Sequence, residues 1–197
     1  MPTLGNTINV LKGKTLTING GQRCKVQGAL KGEGTVRISF PYVRGDFSTN
    51  LADFEGVLNP TSGQFRLTTA MNMQKSTLTL GAGVYAVGVQ SQSGTETNLT
   101  HKIGALKATA SDAQLGTGTW NVGYLNTNTT FAGIVGTSAT LTKVGTGVLT
   151  LTGQSTGKVT VSGGMVCGTG AVGSVTVSKD GTVGAGNATG TVGTLTI

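Results

Sequence analysis

From Leu141 to Val166 the chain reads LTKVGTGVLTLTGQSTGKVTVSGGMV, short runs of alternating apolar and hydroxyl residues separated by glycine and almost free of charge. A run such as Leu149-Thr150-Leu151-Thr152 has a side-chain period of two, so one face of its strand is apolar and nothing local covers it. The cover must come from a stacked copy of the same unit, which is what makes a solenoid. Copies are present. The same word, a leucine or β-branched residue, then threonine, then another apolar residue, recurs at Leu16-Thr17-Ile18, Leu78-Thr79-Leu80 and Leu149-Thr150-Leu151. It returns at Val159-Thr160-Val161, Val175-Thr176-Val177 and Leu195-Thr196-Ile197. Period two with β-branched enrichment means half-buried strands, and the glycines beside nearly every word mark turns.

Composition narrows the choice of fold. The 197 residues include 34 Gly and only 3 Pro, with 11% charged and 5% aromatic residues. Collagen is excluded because no three-residue glycine period runs through the chain. Disorder pairs low hydrophobicity with high charge, and here charge is scarce while Val, Leu and Ile fall on alternate positions. No stretch carries a sustained helical period. The reading is all-β, a solenoid of stacked strands, with a β-sandwich as the alternative, since short strands with frequent turns also describe that fold. Self-similar strand words and the scarcity of large aromatics favour the solenoid. Coils of somewhat over 20 residues give roughly eight rungs and a rod near 40 Å long. The expected organisation is a single β-solenoid domain over residues 1–197, a piece of a longer protein, with inserted loops near 41–59 and 91–130.

The segment LTKVGTGVLTLTG, then GKVTVSGGMV, then GTGAVGSVTVSKDGTVGAGNATGTVGTLTI resembles the passenger-associated strand repeat of bacterial autotransporter β-helices. Lys143, Gly145, Gly147, Leu149, Leu151 and Gly153 fall on that repeat's core, and Gly184 to Gly190 on its later glycine-rich stretch. Ala185 stands where the family commonly has proline. A looser copy of the larger unit runs from Val26 to Leu67, through Phe54-Glu55-Gly56-Val57-Leu58. The resemblance implies a right-handed single-stranded parallel β-helix, a surface-exposed rod within a longer exported protein, and it implies nothing about a catalytic residue, because the repeat is a structural module.

The chain carries 14 basic and 7 acidic residues, a net charge of +7. The basic residues of the first third, among them Lys12, Arg23, Lys25 and Arg66, are scattered singly without interleaved aromatic platforms, so nucleic acid is not an expected partner. No apolar run is long enough for a membrane helix. Cys24 and Cys167 lie too far apart on a rod to meet and are expected as two free, buried thiols, with no zinc spacing around them.

Charge is densest from Lys31 to Glu55, where Glu33, Asp46, Asp53 and Glu55 stand among Phe40, Tyr42, Phe47 and Phe54. A glycan hydrolase or lyase needs one carboxyl as acid and another as base or nucleophile, and this is the one segment that supplies several. The plainer reading is an inserted loop with solvated charges. Arg44-Gly45-Asp46 spells an integrin-recognition tripeptide, against a default of a simple glycine turn. His101 has no nucleophile or carboxylate beside it in sequence, which argues against a catalytic triad. Trp120, the one tryptophan, would stack on a sugar if exposed, but core packing is the favoured reading. No catalytic, cofactor-binding or metal-ligating residue is assigned. The expected function is a non-enzymatic structural or adhesin-like surface protein, a stalk displaying Pro41 to Asn59 or Ser91 to Thr130 to host-cell surfaces or glycans. The expected location is the bacterial surface or the exterior. The alternative is a carbohydrate-active enzyme or its accessory module.

Overall fold

The computed structural model describes residues 3–21, 23–40, 45–92, 95–186 and 193–197. Among them there is no helix. The chain is a right-handed parallel β-helix of about eight turns, built as three ladders of parallel strands that form three faces of a rod. On the first face Thr3–Leu4, Cys24–Val26, Gly45–Phe47, Gln64–Leu67 and Tyr85–Val87 stack in order. The second begins with Ile8–Asn9 over Leu30–Lys31. Farther along it carries Thr119 over Thr140, then Lys158, then Ser174. The third runs from Thr15–Asn19 through Thr35–Ser39 and Val57–Ser62 to Val148–Leu151, Gly164–Gly168 and Gly181–Ala185.

The strand words of the sequence occupy these ladders. Leu16-Thr17-Ile18 and Leu149-Thr150-Leu151 lie on the third face, Val159-Thr160-Val161 and Val175-Thr176-Val177 on the second. Leu195-Thr196-Ile197 returns to the first through a bridge between Ala171 and Thr196. In Leu78-Thr79-Leu80 and Val159-Thr160-Val161 the threonine points outward between buried neighbours, whereas Thr150 is itself buried and Val177 and Ile197, at the C-terminal end, are exposed. Stacked inward residues form the core, and all five phenylalanines, Phe40, Phe47, Phe54, Phe65 and Phe131, are buried in it. Phe47 and Phe65 meet from adjacent coils with ring centroids 5.4 Å apart. Few aromatics are needed because each coil adds only a thin slice of core, and leucine and valine columns fill the rest.

Coil length is uneven. Thr3 lies opposite Lys25, a step of 22 residues, whereas Lys158 lies opposite Ser174, a step of 16. One coil is longer: Tyr85 pairs with Gln114, 29 residues on. The excess is the antiparallel hairpin Val89–Gln92 with Thr95–Asn98, which leaves the rod between Gly88 and Leu99. This redraws the loops expected from the sequence. Within 91–130, Thr100–Ala108 and Gln114–Val122 are rod strands and only the hairpin departs. Within 41–59, Gly45–Phe47 and Val57–Ser62 are rod strands, Leu51 and Phe54 are core, and 41–44 lies outside the described residues.

Candidate functional site

Register decides the fate of the carboxylates between Lys31 and Glu55. A coil of 20–23 residues carries each one beside a basic residue of a neighbouring coil, not beside another carboxylate. Glu33 pairs with Lys12 at 3.2 Å, Asp53 with Lys31 at 3.1 Å and Glu55 with Lys75 at 3.2 Å, all exposed. Asp46 differs. It is buried on the first face, where Arg23 of the coil before donates to it at 2.6 Å and the Arg66 guanidinium of the coil after stands 3.7 Å away. The tripeptide Arg44-Gly45-Asp46 is therefore not displayed on a turn: Gly45 and Asp46 begin a rod strand, Asp46 is occupied by Arg23, and Arg44 lies outside the described residues. Among the described residues no three of His, Cys, Asp and Glu come close enough together to hold a metal ion.

His101 and Trp120 are brought together, and into the core. Both are fully buried on inward positions of the second face, one rung apart, with ring centroids 4.8 Å apart. The separation equals the rung spacing of the sheet, so the imidazole lies on the indole as one more layer of the stack. His101 Nδ1 accepts the Met71 backbone N–H at 3.2 Å, which puts the ring proton on Nε2, facing the Gly88 backbone where the hairpin departs. Burial lowers its pKa from 6.5 to about 4, with the Gly88 backbone opposing the shift. Trp120 Nε1–H donates to the Thr117 carbonyl at 3.0 Å. Neither ring is open to a sugar or a substrate.

Lys143, the lysine of the autotransporter-like motif, also points inward and is buried. Its ammonium donates to the carbonyls of Val144 at 2.6 Å, Gly145 at 3.2 Å and Gly163 at 3.4 Å, a clasp on the corner where two coils turn. Burial lowers its pKa. The two thiols part company: Cys167 is buried, while Cys24 is only half-buried, and both are free.

Beside the hairpin-bearing coil, a groove of about 400 Å³ is lined by Ala52, Asn72, Gln74, Lys75, Tyr124 and Leu125. The Gln74 side-chain amide donates to Asn72 Oδ1 at 2.9 Å, and Lys75 is held by Glu55, so one wall is polar. Tyr124 and the exposed Leu125 form the other wall. Their loop is fixed from both sides: Leu125 N–H donates to Gly104, and the amides of Asn126 and Asn128 accept from Thr146 N–H and Val148 N–H of the next coil, each at 2.9 Å. Tyr124 and Leu125 fall inside the sequence segment expected to be displayed, but nothing in the sequence joins them to Ala52 and Gln74. Comparison with family models, with curated proteins and with solved structures finds no match to this chain.

Proposed function

We propose that the chain is a non-enzymatic, adhesin-like β-helix scaffold, an exported bacterial surface rod whose hairpin and adjoining groove meet host-cell surfaces or glycans. One observation carries the reading: each described carboxylate of the charge-dense segment is engaged by a cation of a neighbouring coil. Glycoside cleavage needs two carboxyls on either side of the scissile bond, one of them able to give up and recover a proton. None of the residues lining the groove is a carboxylate, and Glu55, which reaches it through Lys75, is held by that lysine. Amides, a tyrosine ring and a leucine are instead the mixture that binds a neutral sugar, polar groups for hydroxyls and an aromatic for the ring face. The resemblance of residues 141–197 to the autotransporter strand repeat supports export and surface display.

A glycan array with turnover measured on every hit tests this. Retention on a set of glycans without product, weakened by Tyr124→Ala and by joining Gly88 directly to Leu99, is the expected result. Product from any bound glycan would replace the scaffold reading with the carbohydrate-active enzyme.

A further inference from the structure

Below the hairpin, the outward side of the second face carries a two-column lattice of small polar side chains. One column runs Thr119, Thr140, Lys158, Ser174, each directly paired with the next. Its neighbour, two residues along each strand, runs Asn121, Thr142, Thr160, Thr176. Six of these eight positions are hydroxyls and one is charged. The intervening residues Trp120, Leu141 and Val159 are buried, so the outward set is held on one plane by the core beneath it. At the lattice edge a further hydroxyl pair, Thr137 with Thr156, joins two coils at 2.9 Å.

Register is unbroken through the lattice. Elsewhere the ladders shift, between Met73 and Thr77, between Ala86 and Val87, and between Ile38 and Ser39. The strands that carry the lattice include the two-coil pairing of Gln114–Val122 with Ile134–Lys143, which shifts only between Leu115 and Thr117, ahead of the first lattice position. Spacing is therefore set by the sheet: about 4.8 Å between rungs and about 6.7 Å between columns. A β-branched threonine on a strand is restricted in χ1, so its hydroxyl and methyl are presented in a fixed order and little side-chain entropy is lost on contact.

We propose that this lattice, from Thr119 to Thr176, is an ice-binding surface, with the hydroxyls anchoring and the methyls ordering a plane of water that joins the crystal. The rung and column spacings lie close to the repeats between oxygen rows on the prism face of ordinary ice. The chemistry favours ordered water over other occupants. A crystalline polysaccharide needs an exposed aromatic to stack on, and Trp120, the one on this face, points inward. A protein partner needs a large apolar or charged anchor. The second face offers Lys102, exposed on the rung before Asn121, Lys158 within the lattice and Val177, half-exposed, at its last rung, three isolated side chains and no clustered anchor. Lys158 is the one group that interrupts the plane. The assignment is independent of what the groove and hairpin bind.

The test is partition of the intact chain into slowly growing polycrystalline ice, with thermal hysteresis and crystal shape recorded in parallel. Wild type is expected to be enriched in the ice and to facet crystals. Thr142→Tyr, a bulky group in the middle of the lattice, should be excluded like a non-binding control. Thr79→Tyr, outward on the third face, should behave as wild type. Lys158→Thr, at an exposed position, should widen the hysteresis. Exclusion of the wild type from ice with no faceting would overturn the proposal, whatever the variants do. So would a folded Thr142→Tyr that partitions as wild type, or retention on crystalline cellulose without ice partition.

Discussion

Inward positions on the second face are apolar with two exceptions, and each exception is built around its own backbone partners. His101 sits in the column that continues with Trp120, Leu141 and Val159, and Lys143 in the column of Ile103, Val122 and Val161. A neutral imidazole tolerates this place because Met71 N–H supplies one hydrogen bond and the indole covers a ring face. A charged one does not, since burial penalises the imidazolium. The folded pKa, about 4, lies below the unfolded 6.5. Between those values the unfolded chain binds more protons than the folded one, so stability falls as pH drops through that window. It is fully present above 6.5, and the loss by pH 4 is about 3 kcal/mol. Denaturant midpoints from pH 4 to 7 should show this slope in the wild type. His101→Gln, which keeps an acceptor for Met71 but does not titrate, should flatten it. An equal slope in both would place the acid sensitivity elsewhere. The Lys143 ammonium is satisfied by three carbonyls at a coil corner, which gives the motif lysine a structural role that needs no ligand.

Strands in this fold are easier to read than the corners between them. The alternating words were legible because their period of two is local and their apolar faces have no other means of cover. Glycine was not legible in the same way, because one letter serves two purposes. Gly153 stands at a corner directly over Gly133, and a Cβ there would collide with the Gly133 carbonyl oxygen. Gly5, by contrast, has open space around its Cβ and no positive φ. Gly153→Ala should therefore force two coils apart and destabilise the rod, the opposite of the gain of about 0.5–1 kcal/mol that the same change brings at an ordinary helix or strand position. Gly5→Ala should stabilise by about 0.4–1 kcal/mol through the unfolded chain. Urea titration of the two variants separates the roles, and equal effects would show that the corner can relax. The same ambiguity bears on the inserted loop expected near 91–130: Gly116 and Gly118 lie inside the strand Gln114–Val122, and Gly116 is there because the Tyr85 ring of the coil above occupies the space of its Cβ. The hairpin is the true departure. Leu99 N–H bonds the Gly88 carbonyl across its base, so excision at that point closes the coil without stretching it.

At the scale of the rod every strand pairing between coils, among the described residues, is with a nearest neighbour, and this explains both why the candidate site was hidden and how the molecule should come apart. Glu33 finds Lys12, and Tyr124 comes to line one groove with Ala52 and Gln74, only once coil length fixes which residues share an edge. No motif encodes that, because the information lies in the sum of uneven loop lengths. Stability then behaves as coil terms plus interface terms, and the terms are unequal along the axis. The middle of the rod holds the longest strands, from Asn72–Leu80 and Thr100–Ala108 to Gln114–Val122 and Ile134–Lys143, and the last two lie over a core with Trp120 and Phe131. The last coil is short, and its strands Ser174–Val177 and Gly181–Ala185 are largely half-buried or exposed. Hydrogen exchange should accordingly show protection greatest within 114–143 and least within 174–185, with opening spreading inward from the C-terminal end. Val159→Ala, a buried change that costs about 2 kcal/mol, sharpens the test. It should lower protection in 158–185 and in the strands paired to them while leaving 24–67 as in the wild type. A uniform fall along the whole chain would mean that the rod unfolds as one unit, with cooperativity between coils stronger than nearest-neighbour stacking supplies.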